Sequence, residues 1–539
     1  MELIRFILAA SGPLGHRLIL AMVATSLSMG ALMVVINLAT SADQSNPGVE
    51  LIVGYVLLAA VVIAGHRYAT RLTTALSEAV LQQIRDNYVT LVRRLELDSL
   101  ESAGPDRVYD TLARDTIMIS DAAPLILTGM ISAVTFMMLG AYIGWLSGMA
   151  LLILGVALVV TVYFYRFSQR NSRAALVEAS AQETRFLDLM SHLLHGYKEV
   201  RQNTVRGSDL EQNFLLPASE RVDERNTVAA DKIINGMSIS YVGFYGVLAA
   251  TVFLLPPWVD DHAVVVQVLF TVLFMLSSLD NVLRSLAVLA RANLAMDRLR
   301  EMEKRLADAA HRPEPPASAR SAFTRLEVIG ATYSYLDREG KPSFTMGPCD
   351  LAIEPGEVIF LVGGNGSGKS TLVRLLSGLY APAAGMIMWD GKAVEDANRG
   401  DYRQLFSCVF ADFHLFDRLY GLRDADPAAV NRMIADMELE SKTAYVDGRF
   451  THLDLSTGQR KRLALIVALL EDRPIYVLDE VGADQDPVFR ERFYREILPA
   501  LRKARKAIIV ISHDDRYFDL GDRLLTMRDG RLAGSGATA

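Results

Sequence analysis

The chain has 539 residues, 51 % of them apolar, and a mean hydropathy of +0.23. That length excludes one compact domain, and the apolar excess lies in long uncharged runs, as in a membrane protein. The 62 acidic residues outnumber 55 basic ones for a net charge of −7, which argues against nucleic acid as a main partner, and two cysteines, Cys349 and Cys408, give no disulfide framework.

The stretch from Leu18 to Ala39 is too long for a signal-peptide core, so it reads as an uncleaved first span. Lysine and arginine are absent from Leu18 to His66, from Asp115 to Tyr165 and from Ile233 to Leu283. Each void holds two spans of roughly 20 residues joined by a short turn. The turns are Ser41–Glu50, Gly144–Gly148 and Pro256–His262. Basic residues return in 67–114 and 166–232, which the positive-inside rule places in the cytoplasm with the N-terminus. Residues 1–308 therefore read as an all-α domain of six spans with two long inner loops.

Those loops read as helical. Residues 67–96 lack Gly and Pro and keep apolar residues at three- and four-residue spacing, as do 166–192 and 284–307. Breaks are expected at Gly104-Pro105, Gly196 and Gly207, with short transverse helices whose tips carry motion between the membrane half and the domain that follows. Asp280 and Arg284, four apart near the inner end of the sixth span, read as a helix-surface pair. Ala309–Ser321, with three prolines, reads as an extended linker. Residues 322–539 then form an α/β domain.

In that domain the apolar strand 357–362 runs into Gly363-Gly364-Asn365-Gly366-Ser367-Gly368-Lys369-Ser370-Thr371 and then a helix. This is the phosphate-binding loop in its strand–loop–helix setting. Glycines let backbone N–H groups approach phosphate oxygens, and the helix N-terminus adds its dipole. Lys369 is assigned to the outer phosphates and the Ser370 hydroxyl to Mg²⁺. A second apolar strand, 475–478, ends in Asp479-Glu480. Asp479 is placed to hold Mg²⁺ and Glu480 to orient or deprotonate the attacking water.

Leu455-Ser456-Thr457-Gly458-Gln459, opening a helix, resembles the LSGGQ signature of ATP-binding cassette proteins. The resemblance implies that Ser456, Gly458 and Gln459 cap the γ-phosphate held by a partner subunit. It also implies that Tyr335 stacks on adenine, that Asp486 belongs to the D-loop lining the ATP site, and that His513 is the switch histidine contacting the γ-phosphate. The six spans match exporter-type half-transporters. Three departures stand out: Thr457 replaces a glycine, the helical subdomain after Phe416 is short, and 408–416 lacks the glutamine of the Q-loop. There Asp412 is a candidate Mg²⁺ ligand, the alternative being a mechanical role for the loop.

The segments ADFHLFD, LSTGQRKRLALI, ADQDP and ISHDDRYF together look like bacterial cyclic-peptide and siderophore-precursor exporters of the pyoverdine and syringomycin type. Val481 stands where that subfamily has tryptophan. The resemblance implies a homodimer in the bacterial inner membrane that uses ATP and Mg²⁺ to move a peptide, lipopeptide or siderophore-like substrate. It further implies membrane lipid around the spans and partners in the periplasm or outer membrane. A lipid or multidrug exporter, or a siderophore importer on the same fold, stand as alternatives.

Overall fold

The structure is a computed structural model that describes residues 12–41, 49–168, 172–259, 261–310, 323–337 and 341–537. The sequence reading of the first outer turn and most of the linker, 311–321, falls outside these residues. The described chain forms two compact units. One comprises Met1–Leu91 with Ala103–Asp308, and the other comprises Val92–Ser102 with Ala309–Ala539.

The first unit is helical. Its membrane helices are α1 (Gly12–Ser41), α2 (Val49–Arg93), α4 (Pro105–Leu146), α5 (Gly148–Ser168), α9 (Leu216–Phe253) and α10 (His262–Ala309). Among the described residues five helices are long and apolar enough to cross a bilayer, and the apolar stretch Gly148–Phe164 within α5 is shorter. Helix α2 has 45 residues, and its inner half buries Ala69, Thr73, Leu76, Val80, Leu81, Ile84 and Tyr88. That spacing gives one packed face, so the span continues as an amphipathic helix beyond the apolar stretch. Between α4 and α5 the chain breaks at Ser147, which is extended at φ −156°.

Polar side chains knit this unit together where apolar packing alone gives little specificity. The Asn37 amide of α1 donates to Tyr142 Oη, Thr271 Oγ1 and the Gln267 carbonyl at 3.1–3.3 Å. Arg298 of α10 pairs with buried Asp115 of α4 at 2.5 Å and donates to Ser180 of α6 (Ser172–His195). Asp280 and Arg284 form their expected pair at 2.7 Å, and the Tyr241 hydroxyl also donates to Asp280.

The inner-loop break falls elsewhere than expected. Gly196 does separate α6 from α7 (Tyr197–Gln202). The next break is at Asn203 rather than Gly207, which lies inside α8 (Thr204–Asp209). The Asn203 side chain accepts from the Val205 and Arg206 N–H groups, satisfying donors that a new helix start leaves free.

The second unit holds two principal sheets. β3 (Val358–Gly363), β6 (Phe406–Val409), β9 (Ile475–Asp479), β10 (Ala507–Ile511), β11 (Arg523–Arg528) and β12 (Arg531–Ala537) form one, in the order β12-β11-β3-β10-β9-β6. β3, β6, β9, β10 and β11 run parallel, and only β12 is antiparallel to its neighbour. β1 (Leu326–Leu336), β2 (Pro342–Ile353), β4 (Ala384–Trp389) and β5 (Lys392–Ala393) form an antiparallel sheet in the order β2-β1-β4-β5. β9 and β10 are buried along their whole length, as befits strands covered on both faces. Between Phe416 and Leu455 the described helix is α13 (Pro427–Asp436), of 10 residues.

The segment Val92–Ser102 belongs to this second unit although its sequence lies between α2 and α4. Leu97 of α3 (Leu97–Ala103) packs on the core around Leu326 and Leu375. Glu96, 11 % exposed at its side chain, bridges Arg399 at 3.4 Å and Arg403 at 2.5 Å.

Candidate active site

The loop after β3 supplies most of the sequence-predicted residues. Gly363, at φ +153°, could not carry a side chain: a Cβ would lie 2.5 Å from the Met527 carbonyl oxygen. Gly368, at φ +101°, caps helix α11 (Lys369–Leu376) in a left-handed conformation that glycine adopts without strain. Gly364, Asn365, Gly366 and Ser370 are exposed, whereas Lys369 and Thr371 are buried. The Lys369 ammonium donates to the Gly363 and Gly364 carbonyls at 2.8 and 3.0 Å. Ser367 Oγ is buried and has no hydrogen-bond partner among the described residues. An oxyanion in the loop would supply that partner, so the cradle fits a phosphate.

At the end of β9, burial pushes the Asp479 carboxyl up to about 6, against the lowering contact from the Ala411 N–H. A divalent cation would favour the ionised form, which suits Asp479 to hold one. Glu480 follows at φ +52°, a conformation that costs a non-glycine residue about 1–3 kcal/mol. Its N–H donates to the Ile511 carbonyl at 3.0 Å, and its carboxylate lies 3.4 Å from His513 Nε2. A cleft of about 410 Å³ is lined by Glu480, Asp484, Ser512, His513 and Arg516, among others. The two catalytic candidates, far apart in sequence, therefore face one space.

Helix α14 (Thr457–Glu471) begins with a reciprocal cap. Ser456 Oγ accepts from the Gln459 N–H, and Gln459 Oε1 accepts from the Ser456 N–H. Thr457 is the first helical residue and needs no positive φ, so threonine fits there. Gly458 has no room for a Cβ, which would meet the Asp484 carbonyl oxygen at 2.5 Å. Asp486 caps α15 (Pro487–Arg492) through the Phe489 N–H and pairs with Arg462.

Tyr335 lies near the phosphate-loop helix, its hydroxyl 3.3 Å from both Thr371 Oγ1 and Tyr380 Oη. The Asp412 carboxylate is 71 % exposed and pairs with Arg374 at 3.0 Å. Arg374 also reaches Glu101 at 3.3 Å and the Tyr380 hydroxyl at 3.0 Å. In this loop it is the backbone of Ala411 that touches Asp479. Asp412→Ala is therefore expected to leave the Mg²⁺ optimum of ATP hydrolysis unchanged, as a Mg²⁺ titration will show. A shifted optimum would make Asp412 a metal ligand.

Sequence reasoning missed three groups: Glu96 with its arginines, Arg374 with Glu101, and Lys461 and Arg462 under the catalytic loop. Lys461 and Arg462 belong to the run Arg460-Lys461-Arg462, which reads as a solvated helix start but buries its last two members. The basic pair following an N-cap was the available signal.

The ABC transporter family profile matches residues 346–483. The ATP-binding protein SyrD of Pseudomonas syringae pv. syringae is 32 % identical over 491 residues, covering 87 % of this chain and 82 % of that protein. The chain belongs to the ABC transporter family. An ATP-dependent lipid A-core flippase of Hahella chejuensis is 34 % identical over 226 residues, 40 % of this chain and 38 % of that protein. The fold matches the structure of a bacterial Atm1-family ABC exporter with ATP bound, with a TM-score of 0.77 at 18 % identity, covering 98 % of this chain and 96 % of that one. This ABC transporter is thus a multi-pass membrane protein with the exporter-type fold, and an ATP hydrolase coupled to transport that uses ATP with Mg²⁺.

Proposed function

We propose that two copies of this chain form an exporter of a peptide, lipopeptide or siderophore precursor in the bacterial inner membrane, with the ATPase unit in the cytoplasm. The observation that carries this reading is the reach of the SyrD similarity. At 87 % of the chain it includes residues of the membrane half, where a cargo is met, while the flippase similarity at 40 % is too short to span both halves. The motifs of residues 411–417, 455–466, 483–487 and 511–518 support the peptide class of cargo.

Bound Mg²⁺·ATP supplies the scissile γ-phosphoryl group and the cation that offsets its charge. Residues 363–369 cradle the phosphates, Ser370 and Asp479 hold the cation, and Tyr335 packs on the base. Ser456 and Gly458 of the partner copy close over the γ-phosphate. Glu480 takes or directs the proton of the attacking water, and His513 contacts the γ-phosphate beside it. ATP drives the cycle only by binding the closed pair better than the open one.

Inside-out membrane vesicles test the cargo and the direction together. ATP-dependent accumulation of a fluorescent cyclic lipopeptide, absent with Glu480→Gln, is the expected result. Accumulation of labelled lipid A instead would favour the flippase reading, and uptake into right-side-out vesicles alone would make the protein an importer. Topology is checked by an impermeant thiol reagent on intact cells, which is expected to label Ser147→Cys and spare Ser102→Cys. Labelling of Ser102→Cys alone would invert the arrangement.

A further inference from the structure

The Lys461 side chain is 6 % exposed, one of the few ammonium groups this unit buries. It donates to the Glu480 carbonyl at 2.9 Å and to Asp484 Oδ2 at 2.9 Å. Both partners are residues with left-handed backbone, at φ +52° and +58°. A strained conformation persists only where its surroundings over-determine it, and one ammonium here grips both. A compact, tetrahedral ammonium can donate to a carbonyl and a carboxylate at once, where a planar fork is less well matched.

Lys461 does not act on this loop alone. Arg462 Nε donates to Gln485 Oε1 at 2.9 Å, and the Gln485 amide donates to the Gly458 and Val481 carbonyls at 3.0 and 3.2 Å. The start of α14 and the loop 480–486 are therefore one hydrogen-bonded body within a chain. In a dimer these two parts serve different nucleotides: Glu480 works on the ATP of its own phosphate loop, Ser456 and Gly458 on the partner's.

We propose that Lys461 is a positioning residue for hydrolysis: it fixes Glu480 to the signature helix, so that closure of that helix over one ATP sets the catalytic loop at the other. This rests on the dimer reading above. It supplies a route by which the two sites sense each other, in which Lys461, alongside the Arg462–Gln485 link, holds Glu480 itself.

The test uses the full-length protein in nanodiscs, comparing wild type, Lys461→Met and Asp484→Asn for ATP bound per chain and for the kinetics of Mg²⁺·ATP hydrolysis. Methionine keeps the length and apolar stem but has no donor. Lys461→Met is expected to lower kcat by about ten- to a hundredfold, as small misplacements of a catalytic group do. ATP bound per chain stays at the wild-type value, KM changes by less than about twofold, and the Hill coefficient falls from above 1 to 1, the ceiling for two sites being 2. Asp484→Asn, altered at an exposed carboxylate, moves kcat and Hill coefficient the same way by less, and it decides the matter alone if Lys461→Met does not fold. A merely structural role would lower bound ATP and kcat together. That result, a kcat near wild type, or equal Hill coefficients in variant and wild type would overturn the proposal. A monomer by mass overturns the dimer reading instead, whereas a dimer with wild-type kinetics overturns only the role of Lys461.

Discussion

Replacing Glu480 by glutamine is expected to stop turnover and leave ATP bound. The substitution keeps shape and volume but removes the proton acceptor, and general-base catalysis is worth about 10²–10⁴-fold. The phosphate cradle at 363–369, the Asp479 carboxyl and the backbone bonds that hold residue 480 are untouched, because Lys461 and Ile511 contact main-chain atoms of Glu480. ATP should therefore bind with wild-type stoichiometry and the closed pair should accumulate. Phosphate release measured beside equilibrium binding of labelled ATP checks both halves. Retention of more than a few per cent of wild-type hydrolysis would remove Glu480 from the role of base.

The second large effect is expected at Glu96→Ala. This carboxylate joins two arginines, and the Arg399 side chain is 9 % exposed. Removing one member of a buried ion pair costs up to about 3–5 kcal/mol, and here less, because Arg399 keeps Asp396 at 2.8 Å and Arg403 keeps the Gly378 carbonyl. The transverse segment at 92–102 would then lose its hold on the ATPase unit while remaining covalently tied to α2 and α4. Thermal unfolding of the full-length protein should start several degrees lower. Basal ATP hydrolysis should stay within about twofold, since no catalytic group is touched, while ATP-dependent transport falls at least about tenfold. Transport and hydrolysis falling in the same proportion would deny the segment a coupling role.

The two effects also mark where the sequence was readable. The acid pair ending β9 and the glycine loop after β3 are local patterns: the candidate residues are neighbours in sequence, so spacing alone points to them. The membrane helices were legible for a related reason, since a bilayer excludes lysine and arginine over a continuous stretch. Glu96 had no such signature. Its partners lie 303 and 307 positions away, and between Arg94 and Asp98 an acidic residue reads as solvated. Lys461 was hidden likewise in a basic run, because one sequence does not say which of three successive cations turns inward. Asn203 shows the opposite error: Gly207 drew attention as a breaker, yet the side-chain cap that Asn203 provides just before it outweighed it. In the loop that lacks the glutamine, the contact to Asp479 comes from a backbone N–H at Ala411, a donor that no motif displays and that is not itself a cation ligand.

The proposed ATP site is assembled from two copies of the chain. The double substitution Asn365→Cys and Ser456→Cys, made in the Glu480→Gln protein, tests it directly. Both positions are exposed, while the native Cys349 is buried and Cys408 nearly so. With ATP and a mild oxidant, the closed pair brings position 456 of one copy against position 365 of the other, and a disulfide-linked dimer should dominate a non-reducing gel. Without nucleotide the same protein should run as a monomer. Equal cross-linking with and without ATP, or none in either case, would contradict the account.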